Sequence, residues 1–383
     1  MTHPHRFETA AIHAGQEPDP ATGAAVGPIY QTSTYVQEGV ARHRGYDYSR
    51  TDNPTRRSLE TCLAALEEAR HCVAFGSGMA AIATVAMTMR SGERVVIPDD
   101  VYGGTYRLFD KVMGSLGLRY DTVDMTDLAA VERTLEYGAA LVLAESPTNP
   151  RLRILDLAAL AERAHTAGAR FVVDNTFATP YLQRPLRLGA DAVVYSATKY
   201  LGGHSDLVMG AVTLDDDELA AQVRFLQGSA GAVPGPFDCW LLLRGLKTLG
   251  VRMRQHCANA ERVAAFLQEH PGVGRVHYPG LEDFPAHALA RDQMSAAGAP
   301  LYGGMVSFET ESEERAVRVC EATRIFFLGE SLGGVESLIE HPGRMTHASL
   351  EGSGIEVPAS LVRLSVGIEH PDDLIADLEQ SLG

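Results

Sequence analysis

Lys199 stands in the run Asp191-Ala-Val-Val-Tyr-Ser-Ala-Thr-Lys-Tyr-Leu-Gly-Gly-His204. The apolar stretch Ala192–Tyr195 predicts a buried strand, and it gives way at once to Ser196, Thr198 and Lys199. Two hydroxyls and an amine at the C-terminal end of a strand suit an anionic ligand with a reactive carbonyl. An amine held there can form a Schiff base, and hydroxyls beside it can hold a phosphate. Alone, Ser-x-Thr-Lys is as readily a surface lysine after a strand. Other parts of the chain decide between these readings.

A phosphate needs backbone amides at a helix N-terminus, and Gly76-Ser-Gly-Met79 supplies them directly after a strand-like run. A lone Gly-x-Gly is weak, being also a common tight turn. A pyridine nitrogen stays protonated beside a buried carboxylate, which makes the ring an electron sink. Asp174, ending Phe171-Val-Val, suits that role, although a helix cap is its ordinary alternative. Tyr102, on the glycine-flanked loop Asp99-Asp-Val-Tyr-Gly-Gly104, offers an aromatic face for such a ring. Asp174 and Lys199 follow apparently successive strands with room for one crossover. Together these features point to pyridoxal phosphate.

The elements that must position these groups alternate along the chain. Arg57–Ala69 has helical spacing, with Leu59, Leu63 and Leu66 on one face. Strands are predicted at Cys72–Phe75, Val95–Pro98, Leu141–Ala144, Arg170–Val173 and Ala192–Tyr195, with an amphipathic helix at Leu157–Ala167. This alternation predicts a mainly parallel sheet with helices on both faces. Ser77, Tyr102, Asn149, Asp174 and Lys199 each follow a strand-like run. Ligands of open α/β sheets bind beyond the carboxyl ends of the strands, so the five are expected in one crevice. A composition change near Leu246–Gln255 suggests a boundary. Beyond it lie a predicted helix at Met253–Glu269, strands at Gly304–Glu309 and Val362–Val366, and mixed signals over Arg318–Phe327. Residues 1–50 lack helical periodicity and carry Pro4, Pro18, Pro20 and Pro28, which reads as an extended arm. The expected organisation is an arm (1–50), a large domain (51–245) and a smaller α/β domain (246–383).

The 383 residues suffice for two domains, and 45% hydrophobic content is ordinary for a globular chain. No apolar run approaches a membrane span, and no secretory leader is apparent at the start. The formal net charge of −16 disfavours nucleic acid and anionic membranes as partners. Five dispersed cysteines without a Cys-x-x-Cys pair argue for reduced thiols in the cytoplasm and against a metal site.

The chain resembles the trans-sulfuration enzymes of the Cys/Met-metabolism group, which are fold-type-I pyridoxal-phosphate enzymes. The resemblance rests on Tyr48-Ser-Arg-Thr-Asp-Asn-Pro-Thr-Arg56, Ser77-Gly-Met79, Tyr102-Gly-Gly-Thr105, Ser146-Pro-Thr-Asn-Pro150, Asp174-Asn-Thr176, Ser196-Ala-Thr-Lys-Tyr200, Glu330-Ser-Leu-Gly-Gly334 and Arg363-Leu-Ser-Val-Gly-Ile-Glu369. These run in family order over nearly the whole chain. The resemblance implies a seven-stranded, mainly parallel sheet flanked by helices. It implies that Lys199 carries the cofactor and shuttles protons, and that Asp174 pairs with the pyridinium nitrogen. Gly78, Met79, Ser196 and Thr198 would hold the phosphate. Tyr102 would stack on the ring and act as an acid or base. Tyr48 and Arg50 would reach the phosphate of a neighbouring subunit in a homo-oligomer, a tetramer built from two dimers. Asn149, Ser331 and Arg363 would hold cofactor or substrate, with Arg363 pairing the α-carboxylate through two bonds.

Relatives acting on methionine carry a cysteine where this chain has Gly104, and lack Arg107 and a carboxylate at Glu330. By that resemblance Arg107 and Glu330 are the pair that recognises a long distal group, as in cystathionine or O-succinylhomoserine. The expected reaction is γ-elimination of cystathionine to cysteine, 2-oxobutyrate and ammonia. The alternative is γ-replacement, in which an activated homoserine and cysteine give cystathionine. A related γ-substituted amino-acid substrate is a further alternative. A non-catalytic cofactor-binding protein would be free to lose Lys199, Tyr102 or Arg363, and all three are present. The chain departs from the family pattern at Gly27, at Tyr195 (more usually histidine), at Gly329 (more usually alanine), and over Ser295–Leu301, which reads as a small insertion.

Overall fold

The computed structural model describes residues 5–296, 298–346 and 357–383; Pro4 of the arm lies outside them. The larger sheet contains β1 (His71–Phe75), β2 (Arg94–Pro98), β3 (Arg119–Val123), β4 (Leu141–Glu145), β5 (Arg170–Asp174), β6 (Ala192–Ser196) and β7 (Gly210–Leu214). Its order is β1-β7-β6-β5-β4-β2-β3. All neighbours are parallel except β7, which runs antiparallel to both β1 and β6. The five strands expected from apolar runs are present within a residue or two. Two further strands went unread: β3, on the sheet edge, and β7.

The middles of β4, β5 and β6 are apolar because helices cover both faces, and Val142, Val173 and Val193 are fully buried. Each such side chain contributes roughly 1.5–3 kcal/mol by leaving water. This rigid centre ends at Glu145, Asp174 and Ser196, so the groups just beyond it are held on fixed stems.

A second sheet contains β8 (Arg275–His277), β11 (Met305–Glu309), β12 (Phe327–Leu328), β13 (Leu338–Glu340) and β14 (Leu361–Ser365), in the order β12-β13-β14-β11-β8. Between β8 and β11, the expected insertion contains a small hairpin, β9 (Ser295–Ala296) with β10 (Ala299–Pro300); Ala297 lies outside the described residues. The expected boundary at 245/246 falls at the end of helix Pro236–Leu246, just before the long helix Leu249–Glu269. The mixed signals of Arg318–Phe327 resolve into the end of helix Glu313–Ala322 followed by β12.

The arm departs from expectation at its start. Phe7–His13 is a helix whose Ala10 and Ala11 are buried in the same core cluster as Leu59, Leu63 and Leu66. Seven residues with two small apolar ones leave too short a pattern for periodicity to register. The later arm is open, with Val36 and Val40 at 92% and 100% exposure.

Candidate active site

All five strand-end residues expected in one crevice, Ser77 among them, line one cavity of about 330 Å³. Tyr102, Asn149, Asp174 and Lys199 meet there with Gly78, Met79, Ser196 and Thr198, and the loop 330–332 and Arg363 close it from the second sheet. Tyr48, Arg50 and Arg107 are not brought to this cavity.

The Gly78–Ala86 helix opens with Ser77 as its cap, accepting Ala80 N–H at 3.0 Å. Its first N–H groups have no intrahelical partner and carry the positive end of the helix dipole. A Cβ on Gly78 would lie 2.8 Å from the Ser196 Cβ, so only glycine lets the helix start and the Ser196 turn approach this closely. That space, with Ser196 and Thr198 on its wall, is a cradle for a phosphate. Thr198 is fixed by two bonds to Met209: its hydroxyl accepts the Met209 N–H at 3.0 Å and lies 3.2 Å from the Met209 carbonyl.

Asp174 ends β5, and its Oδ1 accepts both the N–H (3.0 Å) and the hydroxyl (2.5 Å) of Thr176. Burial raises its pKa, and the two Thr176 bonds resist that rise. Glu145, directly opposite it in the β4–β5 register, is pushed up strongly by burial and then by the Asp174 charge. Glu145 accepts the N–H groups of Asn149 (2.7 Å) and Tyr102 (3.2 Å), so one carboxyl fixes two loops of the site. Its signal in the sequence is the same as that of Asp174, a carboxylate closing an apolar strand. Behind Asp174, Asn175 Nδ2 donates to the Tyr195 hydroxyl at 2.9 Å, and Tyr195 donates to Glu67. Burial pushes the Glu67 carboxyl up to about 8. The unusual Tyr195 thus belongs to the support of the Asp174 turn rather than to the cavity.

Lys199 Nζ donates to Ser331 Oγ at 2.6 Å. Burial pulls its amine down to about 8, and the Arg363 charge adds to this, while Glu340 and Glu330 oppose it. Ser331 sits at φ +93°, a left-handed conformation that costs a non-glycine residue about 1–3 kcal/mol. The neighbouring Gly333, at φ +79°, packs against the backbone of Lys199 and Tyr200, where a Cβ would lie 2.5 Å from Tyr200 N. Arg252, from helix Leu249–Glu269, donates to the carbonyls of Tyr200 (2.7 Å) and Gly245 (2.9 Å). Arg363 lies on β14 and donates to Asn149 Oδ1 and to the Ser331 carbonyl, both at 2.9 Å. It also pairs with Glu340 at 3.0 Å in a fully buried contact. Glu340 and Glu145 escaped the sequence reading; Glu340 has no local signal, because only the pairing of β13 with β14 sets it opposite Arg363.

Gly104 has a steric reason in this fold. A Cβ there would lie 2.4 Å from the Tyr102 ring and 3.1 Å from Met79 Sδ. By contrast, a Cβ on Gly329 would meet nothing within 4 Å, so space does not require that glycine.

Tyr48 and Arg50 lie together elsewhere, with the Arg50 guanidinium 5.5 Å from the Tyr48 ring centre. Arg50 Nη1 donates to the Gly228 carbonyl at 2.7 Å. Buried Arg56 holds this stretch by donating to the carbonyls of Ser49 (2.8 Å) and Arg50 (3.3 Å). Arg107 is exposed at the end of the short helix Gly103–Arg107. Among the described residues there is no cluster suited to a metal ion, and no helix is long and apolar enough to cross a membrane.

A phosphate cradle, a buried carboxyl for a ring nitrogen and an amine with a lowered pKa fit pyridoxal phosphate. Comparison with known proteins agrees. Cystathionine gamma-synthase of Mycobacterium tuberculosis is 54% identical over 378 residues, covering 98% of this chain and 96% of that one. Cystathionine beta-lyase of Coxiella burnetii is 50% identical over 382 residues, covering 98% and 97%. The crystal structure of metB from Corynebacterium glutamicum superposes with a TM-score of 0.96 at 47% identity, covering 99% of this chain and 98% of that chain. The family model described as Cys/Met metabolism PLP-dependent enzyme matches residues 8–383, and the chain belongs to that family.

Proposed function

We propose that the protein acts at Cγ of cystathionine-type amino acids, joining cysteine to an activated homoserine such as O-succinylhomoserine, with release of succinate, to give cystathionine. The observation that carries this reading is one cavity lined by Lys199 and Asp174 from the first sheet and by Arg363 and Glu330 from the second. Bound pyridoxal phosphate supplies the electron sink for carbanions at Cα and Cβ. The protein's own groups do the rest. Lys199, neutral above a pH of about 8, takes and returns protons. Asp174 holds the ring nitrogen, and Arg363 seats the α-carboxylate through N–H groups that form a planar fork. Tyr102, which lines the cavity, would offer its aromatic face to the ring.

The γ-elimination of cystathionine favoured by the sequence reading is retained as the second reading. It uses the same groups, and Glu330, which the two readings share, lines the cavity. Similarity to cystathionine gamma-synthase of Mycobacterium tuberculosis, at 54% identity, favours the replacement over the elimination. Arg107 keeps a role in this reading as a charge outside the cavity that meets the distal end of a long substrate.

Tyr48 and Arg50 serve a neighbouring copy of the chain in this proposal. Both are exposed and outside their own cavity, and the arm around them presents uncovered apolar residues. The test of the reaction is a product assay on holoenzyme, with L-cystathionine alone in one tube and O-succinylhomoserine plus cysteine in another. Rapid cystathionine formation in the second with slow cleavage in the first is the expected result. Prompt cysteine and 2-oxobutyrate from the first tube would establish the elimination instead. Turnover of neither overturns both readings.

A further inference from the structure

Arg363 and Glu340 face each other across the β13–β14 ladder. Their side chains are 2% and 1% exposed and meet at 3.0 Å, Nη1 to Oε1. The guanidinium has further fixed partners, Asn149 Oδ1 on Nη1 and the Ser331 carbonyl on Nη2. Among the described residues, Nε of Arg363 is buried with no hydrogen-bond partner, and so is Oε2 of Glu340. The other carboxylate oxygen, Oε1, also accepts the Thr346 hydroxyl at 2.8 Å. One edge of Arg363 is therefore committed to the protein, while Nε–H and the second Nη2 N–H remain for a ligand. Glu340, in turn, keeps one buried oxygen in reserve.

We propose that Glu340 is a positioning residue that locks Arg363 as a carboxylate receptor and takes up a proton at Oε2 when a substrate's α-carboxylate arrives. The inference rests on the reading of Arg363 as the α-carboxylate site. Two carboxylates on one buried guanidinium leave an excess negative charge in a region of low dielectric, which protonation of one removes. Among the described residues, Oε2 has no donor to hold it ionised. The groups that face Glu340 are Arg363 on β14, Lys199 and Glu330 across the cavity, Thr346 in the loop after β13, and Cys320 on helix Glu313–Ala322. Burial already raises the Glu340 carboxyl, and Arg363 and Thr346 restrain it. An α-ammonium must lose one proton before its nitrogen can act as a nucleophile. The balance is then closed within the site: the substrate's nitrogen gives up one proton and Glu340 Oε2 gains one, with no bond between heavy atoms made or broken.

The experiment is calorimetric titration of holoenzyme with L-norvaline, which has the α-amino and carboxylate groups and no leaving group on Cγ. Measurement in two buffers of different ionisation enthalpy counts the protons exchanged. Wild type is expected to exchange few protons, whereas Glu340→Gln releases about one more per site. An unchanged proton count in Glu340→Gln overturns the inference. If that variant fails to fold or to retain cofactor, Thr346→Val leaves both charges in place. Losing the hydroxyl that holds Oε1 should move the pH dependence of the proton count upward, and an unmoved profile also overturns the inference. Arg363→Ala separates the two ideas. L-norvaline binding unchanged in Arg363→Ala defeats the carboxylate reading itself. Binding weakened there, with the count unmoved in Glu340→Gln, defeats only the role of Glu340.

Discussion

Lys199 follows a strand of the first sheet, yet its Nζ is held at 2.6 Å by Ser331, from the loop that precedes β13 in the second. Ser331 reaches it from a left-handed backbone conformation, φ +93°. Ser331→Ala removes the bond while keeping the backbone. A hydrogen bond to a charged or ionisable group is worth about 1.5–3 kcal/mol, so turnover should fall about 10-fold or more. Steady-state rates on the substrate identified by the product assay check this, and an unchanged kcat would remove Ser331 from the positioning of the amine.

Gly333→Ala should be worse for folding than for chemistry. A methyl group there meets Tyr200 N at 2.5 Å, and φ +79° disfavours any L side chain. The expected cost is about 1–3 kcal/mol, read as a lower melting temperature of the holoenzyme together with faster loss of cofactor. Equal melting temperatures would show that the loop does not rest on the lysine's backbone.

Gly104→Cys tests why this position is bare. The new Cβ claims the space of the Tyr102 ring, so the ring must move. Misplacing a stacking group should shift the visible absorbance of bound cofactor and lower turnover on the order of 10-fold. A variant with wild-type spectrum and rate would mean that Tyr102 has room that the structure does not show.

The lowered amine of Lys199 has a direct pH consequence. A lysine at its ordinary pKa of 10.5 would be almost entirely protonated at neutral pH, but burial and Arg363 bring this one to about 8. Below that value it is ammonium and inert, and above it is a nucleophile. The rate at which cofactor-stripped protein recaptures pyridoxal phosphate should therefore climb as pH rises through about 8 and then level off. A climb that continues to the ordinary lysine range would contradict the lowered value.

The placement of Arg50 is tested by mixing variants. Arg50→Ala and Lys199→Ala chains are each expected to be inactive or nearly so. If a site takes Arg50 from one chain and Lys199 from another, exchange of subunits creates intact hybrid sites and activity returns. A mixture that regains nothing after demonstrated exchange would return Arg50 to its local contact with Gly228.

What the sequence discloses follows from how local each signal is. The Asp191–His204 run shows both a buried strand and the chemistry at its end, because an apolar core strand and its polar terminus are adjacent in the chain. Asp174 and Asn149 are visible for the same reason. β3 was missed because Arg119-Tyr-Asp-Thr-Val, on the edge of the sheet, carries two charges and a partly exposed burial pattern. β7 is hard to read because it is a short run opening with glycine, and its single threonine at Thr213 breaks the apolar pattern before Asp215 closes it. Glu340 matters through a partner more than twenty residues away on an adjacent strand, and register of that kind is written in no single segment. The arm's Phe7–His13 helix depends on the surface it packs against, and at seven residues it is too short to show a repeat of its own.

The grip on Lys199 also limits how this protein can be recombined. Its strand comes from one sheet, but its amine is held by Ser331, its backbone is packed by Gly333, and the carbonyl after it is held by Arg252 from the long helix. Exchanging the C-terminal half with that of a relative would therefore alter the basicity of the reactive lysine as well as the choice of substrate. Reactivity and selectivity are inherited as one unit here, and a chimera cannot vary the second while holding the first constant.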